Sequence, residues 1–161
     1  MQTIRLVPAL AISTIVLVFC ANHARGQVIV KGTTLRVEPN GEYVPLPRVS
    51  IRAYREGPIL PAADFSDSKG VYRVTVSEGY PFRIAYYLSD QYVPEIQPLA
   101  GKKQLTHNIH VALWSVEEYR RQEERGLLIP LRTKLRHLLE QLPKEQDELR
   151  QIIQKMLSPL E

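Results

Sequence analysis

Between Gln27 and Leu113 apolar residues recur at every second position in short runs, separated by clusters of Pro, Gly, Asn, Asp and Ser. A period of two puts alternate side chains on opposite faces of an extended chain, so each run predicts a strand with one buried face. The first run is Gln27–Val37. In Val49–Arg55, Val49, Ile51 and Ala53 share one side, and Ser50, Arg52 and Tyr54 the other. Tyr72, Val74 and Val76 point inward from the next run, followed by Phe82, Ile84, Tyr86 and Leu88. Tyr92–Gln97 carries Pro94, which lacks the N–H of a central strand and marks an edge. Leu105–Leu113 closes the series with Leu105, Ile109, Val111 and Leu113 on one face. Turn signals fall at Pro39-Asn40-Gly41, Asp67-Ser68-Lys69-Gly70 and Ser77-Glu78-Gly79, and Gly57–Ala63 reads as a loop. About seven short strands with regular turns predict a mainly β fold, a two-sheet sandwich.

After Trp114 the period changes. Ser115 and Glu118 have the spacing of a helix-capping box, and Glu117 and Glu118 suit the positive end of a helix. Gly126 reads as the stop of that helix and Pro130 as the start of another. Leu131, Leu135, Leu138 and Leu142 then repeat at four, three and four residues. Leu149, Ile152 and Met156 continue the same register, with Glu145 as its polar break. Such a stripe is a contact surface for another helix or a sheet. Pro143 must kink or split the helix, and a hairpin folded at Leu142-Pro143 satisfies the same pattern. A bare stripe of this kind needs a cover: the chain's own sandwich, a second copy, or a protein partner. The expectation is an oligomerising or partner-docking tail.

The start of the chain stands apart. Met1–Arg5 is a short positive segment, Leu6–Cys20 an apolar run, and Ala24-Arg25-Gly26 supplies small residues two apart. This is the tripartite pattern of a secretory signal peptide, with cleavage expected before Gln27. The run is shorter than the ~20 residues a spanning helix needs, so no stable membrane span is expected after cleavage. Cleavage removes Cys20, the only cysteine, leaving a chain without disulfides or thiolate chemistry. A cysteine-free exported chain fits a bacterial envelope. Loss of Arg5 and Arg25 lowers the formal net charge from +4 to +2, and no Lys/Arg cluster suggests nucleic acid. The expected organisation is a signal peptide over residues 1–26, a sandwich over 27–113 and a helical tail over 114–161.

Candidate chemistry is sparse. His107 and His110 are three apart on a strand and point to opposite faces, His137 stands alone in the tail, and no metal-ligand spacing occurs. No nucleophile motif or phosphate-binding glycine loop is present. The chain therefore reads as non-enzymatic, with neither cofactor nor metal. What remains is surface. By strand parity Tyr54 and Tyr87 point outward beside Arg52, Arg73 and Arg83, and Tyr92 lies near an edge. Exposed aromatic rings among arginines stack on sugar rings, so a polysaccharide is the alternative ligand.

Several motifs carry a family resemblance. Pro45-Leu46-Pro47-Arg48-Val49-Ser50-Ile51, then Asp67-Ser68-Lys69-Gly70-Val71-Tyr72, then Gly79-Tyr80-Pro81-Phe82-Arg83-Ile84 and Tyr92-Val93-Pro94 occur in order. Together they resemble a carboxypeptidase regulatory-like domain, over Val28 to about Leu113. Arg48 departs from the small residue usual after Pro-Leu-Pro. The resemblance implies a prealbumin-like (transthyretin-like) Greek-key sandwich of seven strands, acting as a secreted accessory module that binds or presents. The Lys–Asn bond of collagen-adhesin B-type domains would require Lys31 and Asn108, but both fall on polar parity. The resulting expectation is an envelope or extracellular adaptor. It contacts a protein partner or itself through Leu131, Leu135, Leu138, Leu142, Leu149, Ile152 and Met156, or binds glycan through Tyr54, Tyr87 and Tyr92.

Overall fold

The computed structural model describes residues 26–55, 62–77, 81–99 and 106–160. The expected signal-peptide segment, apart from Gly26, lies outside the described residues, as do most of the expected Gly57–Ala63 loop and Leu105. Among the described residues nine strands form two sheets, followed by three helices. The protein is a mainly β Greek-key sandwich with a helical C-terminal extension.

The first sheet is organised by β1 (Gln27–Val37), which is long enough to take two partners along each edge. On one side its first part pairs antiparallel with β5 (Val71–Ser77) and its end with β2 (Tyr43–Pro45). It also runs parallel to β8 (Thr106–Asn108) and β9 (Val111–Leu113). These last two are the expected Leu105–Leu113 strand, broken at Ile109-His110. The break has a local cause. The Ile109 carbonyl lies so close to Gly32 that a Cβ there would sit 1.6 Å from the oxygen. That same carbonyl accepts the Tyr72 hydroxyl at 2.8 Å.

The second sheet has the order β4-β3-β6-β7, all antiparallel: β4 is Ala62–Phe65, β3 Ser50–Tyr54, β6 Phe82–Tyr87 and β7 Glu95–Leu99. Neither β2 nor β4 was expected from the sequence. Both are short edge strands without clear alternation, so the register of their longer partners defines them. The edge strand expected at Tyr92–Gln97 lies slightly later, and Tyr92 instead bridges to Ser115.

Between the sheets Val28, Val30, Tyr72, Val74, Val76, Val111 and Leu113 meet Val49, Ile51, Ala53, Phe82, Ile84, Tyr86 and Leu99. The inward parity read from the sequence is the observed one. Tyr72 and Tyr86 meet edge to face and share a 2.9 Å hydrogen bond between hydroxyls. Burial raises both phenol pKa values above the ordinary range.

A polar node locks the far end. Thr34 is fully buried; its hydroxyl donates to the Leu46 carbonyl at 2.6 Å and its N–H to the Gly70 carbonyl at 2.8 Å. Gly70 has φ +73°, and a Cβ there would press on the Thr34 carbonyl at 2.4 Å, so glycine is required twice over. Asp67 accepts the Lys69 and Val71 N–H groups and shapes this turn. Arg48 adopts φ +62°, the left-handed region that a small residue or glycine occupies more readily.

Candidate functional site

The outer face of the second sheet carries Arg52, Tyr54, Arg83, Ala85, Tyr87 and Ile96, the face on which sugar-stacking tyrosines were expected. The helical tail covers it. Helix α1 (Val116–Glu124) starts at Ser115, whose hydroxyl accepts the Glu118 N–H at 3.1 Å. Only this half of the capping box is formed, because the Glu118 carboxylate turns to Arg121 and Gln122. Gly126 at φ +72° ends the helix, its N–H bonding to Glu123 and that of Leu127 to Gln122. Helices α2 (Leu131–Gln141) and α3 (Asp147–Leu157) follow, split at Leu142-Pro143. Arg150 of α3 reaches back to the Leu142 carbonyl and to the Leu139 carbonyl, which also accepts the Leu142 N–H, and so ties α3 to the end of α2.

Packing decides the fate of both expected surfaces. Leu131, Leu135, Leu138, Leu142, Leu149 and Met156 are buried in one cluster with Tyr54, Ala85, Tyr87 and Ile96 of the sandwich. The stripe is therefore occupied by the chain's own sheet and is not an open docking surface for a partner or a second copy. Ile152 is only half-buried; Ile153, wholly buried, takes the place expected for it. A strict heptad carried across Pro143 misplaces that residue, because the turn over 142–146 resets the helical phase. Tyr54 and Tyr87 are 6% and 1% exposed, so neither ring is open to a sugar. Tyr92 is half-buried and packs on the sandwich core, beside an open cleft lined by Asp90, Ser115, Arg120 and Arg121. The two expected surfaces cover each other.

Polar groups pin this contact. Arg52 lies over the Tyr87 ring, 5.6 Å from its centroid, and pairs with Glu148 of α3. Tyr87 donates to the same carboxylate at 3.0 Å. Arg83 donates to the Gln141 carbonyl at 2.8 Å, and Lys134 to Glu95 at 2.6 Å. Lys155 pairs with Asp90 and holds that carboxyl below its ordinary range. Burial raises the Tyr87 phenol, and pushes Tyr54 up to about 12 against the opposing pull of Arg83. The Tyr54 hydroxyl has no hydrogen-bond partner among the described residues.

The sequence did hold a signal for this cover. The run Phe82-Arg83-Ile84-Ala85-Tyr86-Tyr87 is apolar on both parities, and all but Arg83 are buried. A strand buried on both faces reads as a near-continuous apolar run, whereas β5 alternates fully. The outer face of the first sheet has no such signal: Lys31, Arg73 and Thr75 are exposed there. Lys31 and Asn108 are register partners on it, both in solvent and without the desolvation a cross-link requires. His110 bonds Thr33 at 2.8 Å, and the His107 Nε2 is buried without a partner among the described residues. No three metal-ligating side chains come together among the described residues. None of the described helices is long and apolar enough to cross a membrane.

No family model matches the sequence, and no curated protein matches it. Among solved structures, part of the chain is similar to GBS52, the minor pilin of Streptococcus agalactiae, at 13% identity and a TM-score of 0.44. That match covers 57% of this chain and 46% of the pilin. It is also similar to the Bacillus anthracis TIE protein, at 18% identity and a TM-score of 0.43, over 55% of this chain and 18% of that one. Catechol 1,2-dioxygenase from Acinetobacter aligns at 10% identity and a TM-score of 0.41, over 59% of this chain and 54% of the enzyme. The chain thus spans less than two thirds of each, and at these levels the likenesses carry no conclusion about function.

Proposed function

We propose that this chain is an exported, non-enzymatic binding or structural module of an envelope or extracellular space. It is a carboxypeptidase regulatory-like sandwich that carries its own helical brace. The observation behind this reading is how the polar side chains of the second sheet are used. Arg52, Arg83, Tyr87 and Glu95 all bind the tail, so these groups hold the molecule together and are not free for a ligand. Contact with a protein partner then falls to surfaces the brace leaves open, chief among them the polar outer face around Lys31, Arg73 and Thr75. Export rests on the leader pattern, and strand β1 begins at Gln27, the residue where the mature chain is expected to start. Production of the whole chain in a bacterium, with fractionation and N-terminal sequencing, tests it. The expected product is periplasmic or released protein beginning at Gln27. Cytosolic protein retaining Met1 overturns the reading.

A further inference from the structure

The turn between α1 and α2 reads Arg125-Gly126-Leu127-Leu128-Ile129-Pro130. It is a held turn. Gly126 and Leu127 donate back to Glu123 and Gln122, the Tyr119 hydroxyl donates to the Ile129 carbonyl, and Glu123 accepts the Leu131 N–H. Leu128 packs against the second core, yet Leu127 and Ile129 on either side of it are 69% and 53% exposed. In a turn closed this way the residue after glycine commonly packs on the helix it has just left. Here that helix offers Gln122, and Leu127 projects into water. Among the described residues neither aliphatic side chain belongs to a hydrophobic core.

Their surroundings are cationic. Arg120, Arg125 and Arg132 are absent from the ion pairs among the described residues, and Arg120 and Arg132 line a shallow cleft next to the turn with Pro130 and Leu160. Glu123 and Glu124 share that cleft, while Arg121 and Lys134 are held in ion pairs with Glu117, Glu118 and Glu95, so the positive charge of the tip rests on Arg120, Arg125 and Arg132. Exposed aliphatics with arginines close by in the chain suit a bilayer interface, where an arginine stem lies along apolar surface while its head stays wet.

We propose that the Gly126–Ile129 turn is a lipid-contacting tip that seats Leu127 and Ile129 among the headgroups of a bilayer bearing anionic phospholipid. A second copy is the poorer occupant. A stable protein interface needs about 800 Å² from each partner, and two side chains on a convex turn fall well short, whereas a fluid lipid surface demands no matching shape. This goes beyond the export reading, and because it is tested on purified protein either can fail alone.

The test uses Gln27–Glu161, which contains both cores, in co-sedimentation with phosphatidylcholine vesicles with or without an equal part of phosphatidylglycerol. Binding to the mixed vesicles is expected, weakening about tenfold or more in Leu127→Ser/Ile129→Ser. Arg125→Gln/Arg132→Gln should remove the preference for anionic vesicles. Because this chain lacks Cys20, Leu127→Cys supplies a single thiol for a polarity-sensitive dye, whose emission should shift blue on the same vesicles. Absence of vesicle binding, or binding unchanged in Leu127→Ser/Ile129→Ser, overturns the proposal. So does self-association abolished by that variant, which would assign the tip to a contact between copies.

Discussion

At the residue scale, two positions depend on atoms far away in sequence. Gly32 faces the Ile109 carbonyl, whereas Gly41 has φ +82° and open space around it. Gly32→Ala should cost about 3 kcal/mol or prevent folding, because strand β1 must shift from its parallel partners, while Gly41→Ala should cost about 1 kcal/mol. Urea midpoints of the two variants check this. The second position is Tyr54, buried with its hydroxyl unpaired among the described residues. Tyr54→Phe should be neutral or stabilising by about 1 kcal/mol, and Tyr87→Phe destabilising by about 1 kcal/mol, since Tyr87 donates to Glu148. The pH dependence has a definite sign. An unfolded tyrosine has its ordinary pKa of 10.0, and burial pushes that of folded Tyr54 up to about 12, so between these values the folded state holds the proton and the unfolded state releases it. Stability should therefore fall as pH rises through that window, and less steeply in Tyr54→Phe.

At the element scale, the strands with one buried face were legible because their apolar residues keep strict parity. Tyr72, Val74 and Val76 of β5 are the clearest case. The edges were not, since β2 and β4 exist by pairing with β1 and β3. In the tail the stripe was legible as a stripe, and Pro143 does divide the helix. Its phase after the division was not, because the turn that follows is set by tertiary contacts such as Arg150 with the end of α2. Ile152 and Ile153 discriminate the two registers. Ile153→Ala should cost about 3 kcal/mol by opening a cavity in the second core, and Ile152→Ala about 1 kcal/mol or less. Thermal melts of the two variants decide between them, and equal losses would contradict the observed register.

At the scale of the whole molecule, the tail and the second sheet complete one another. A chain ending at Trp114 exposes Tyr54, Ala85, Tyr87 and Ile96 to water. Such a chain should self-associate and bind a hydrophobic dye, whereas Gln27–Glu161 should not assemble through the stripe. Light scattering on a sizing column checks this; an assembled long form with a monomeric short form would restore the docking-tail reading. By itself the sequence determined what is local: strand parity, the turns at Gly70 and Gly126, the helix start at Ser115 and the presence of an apolar stripe seeking a cover. Each follows from the backbone and side-chain preferences of a few neighbouring residues. Only the tertiary structure decided what the stripe covers and which tyrosines see water. A face is polar, apolar or available only relative to what packs on it, and here β6 bonds to residues 58 and 61 positions further along the chain.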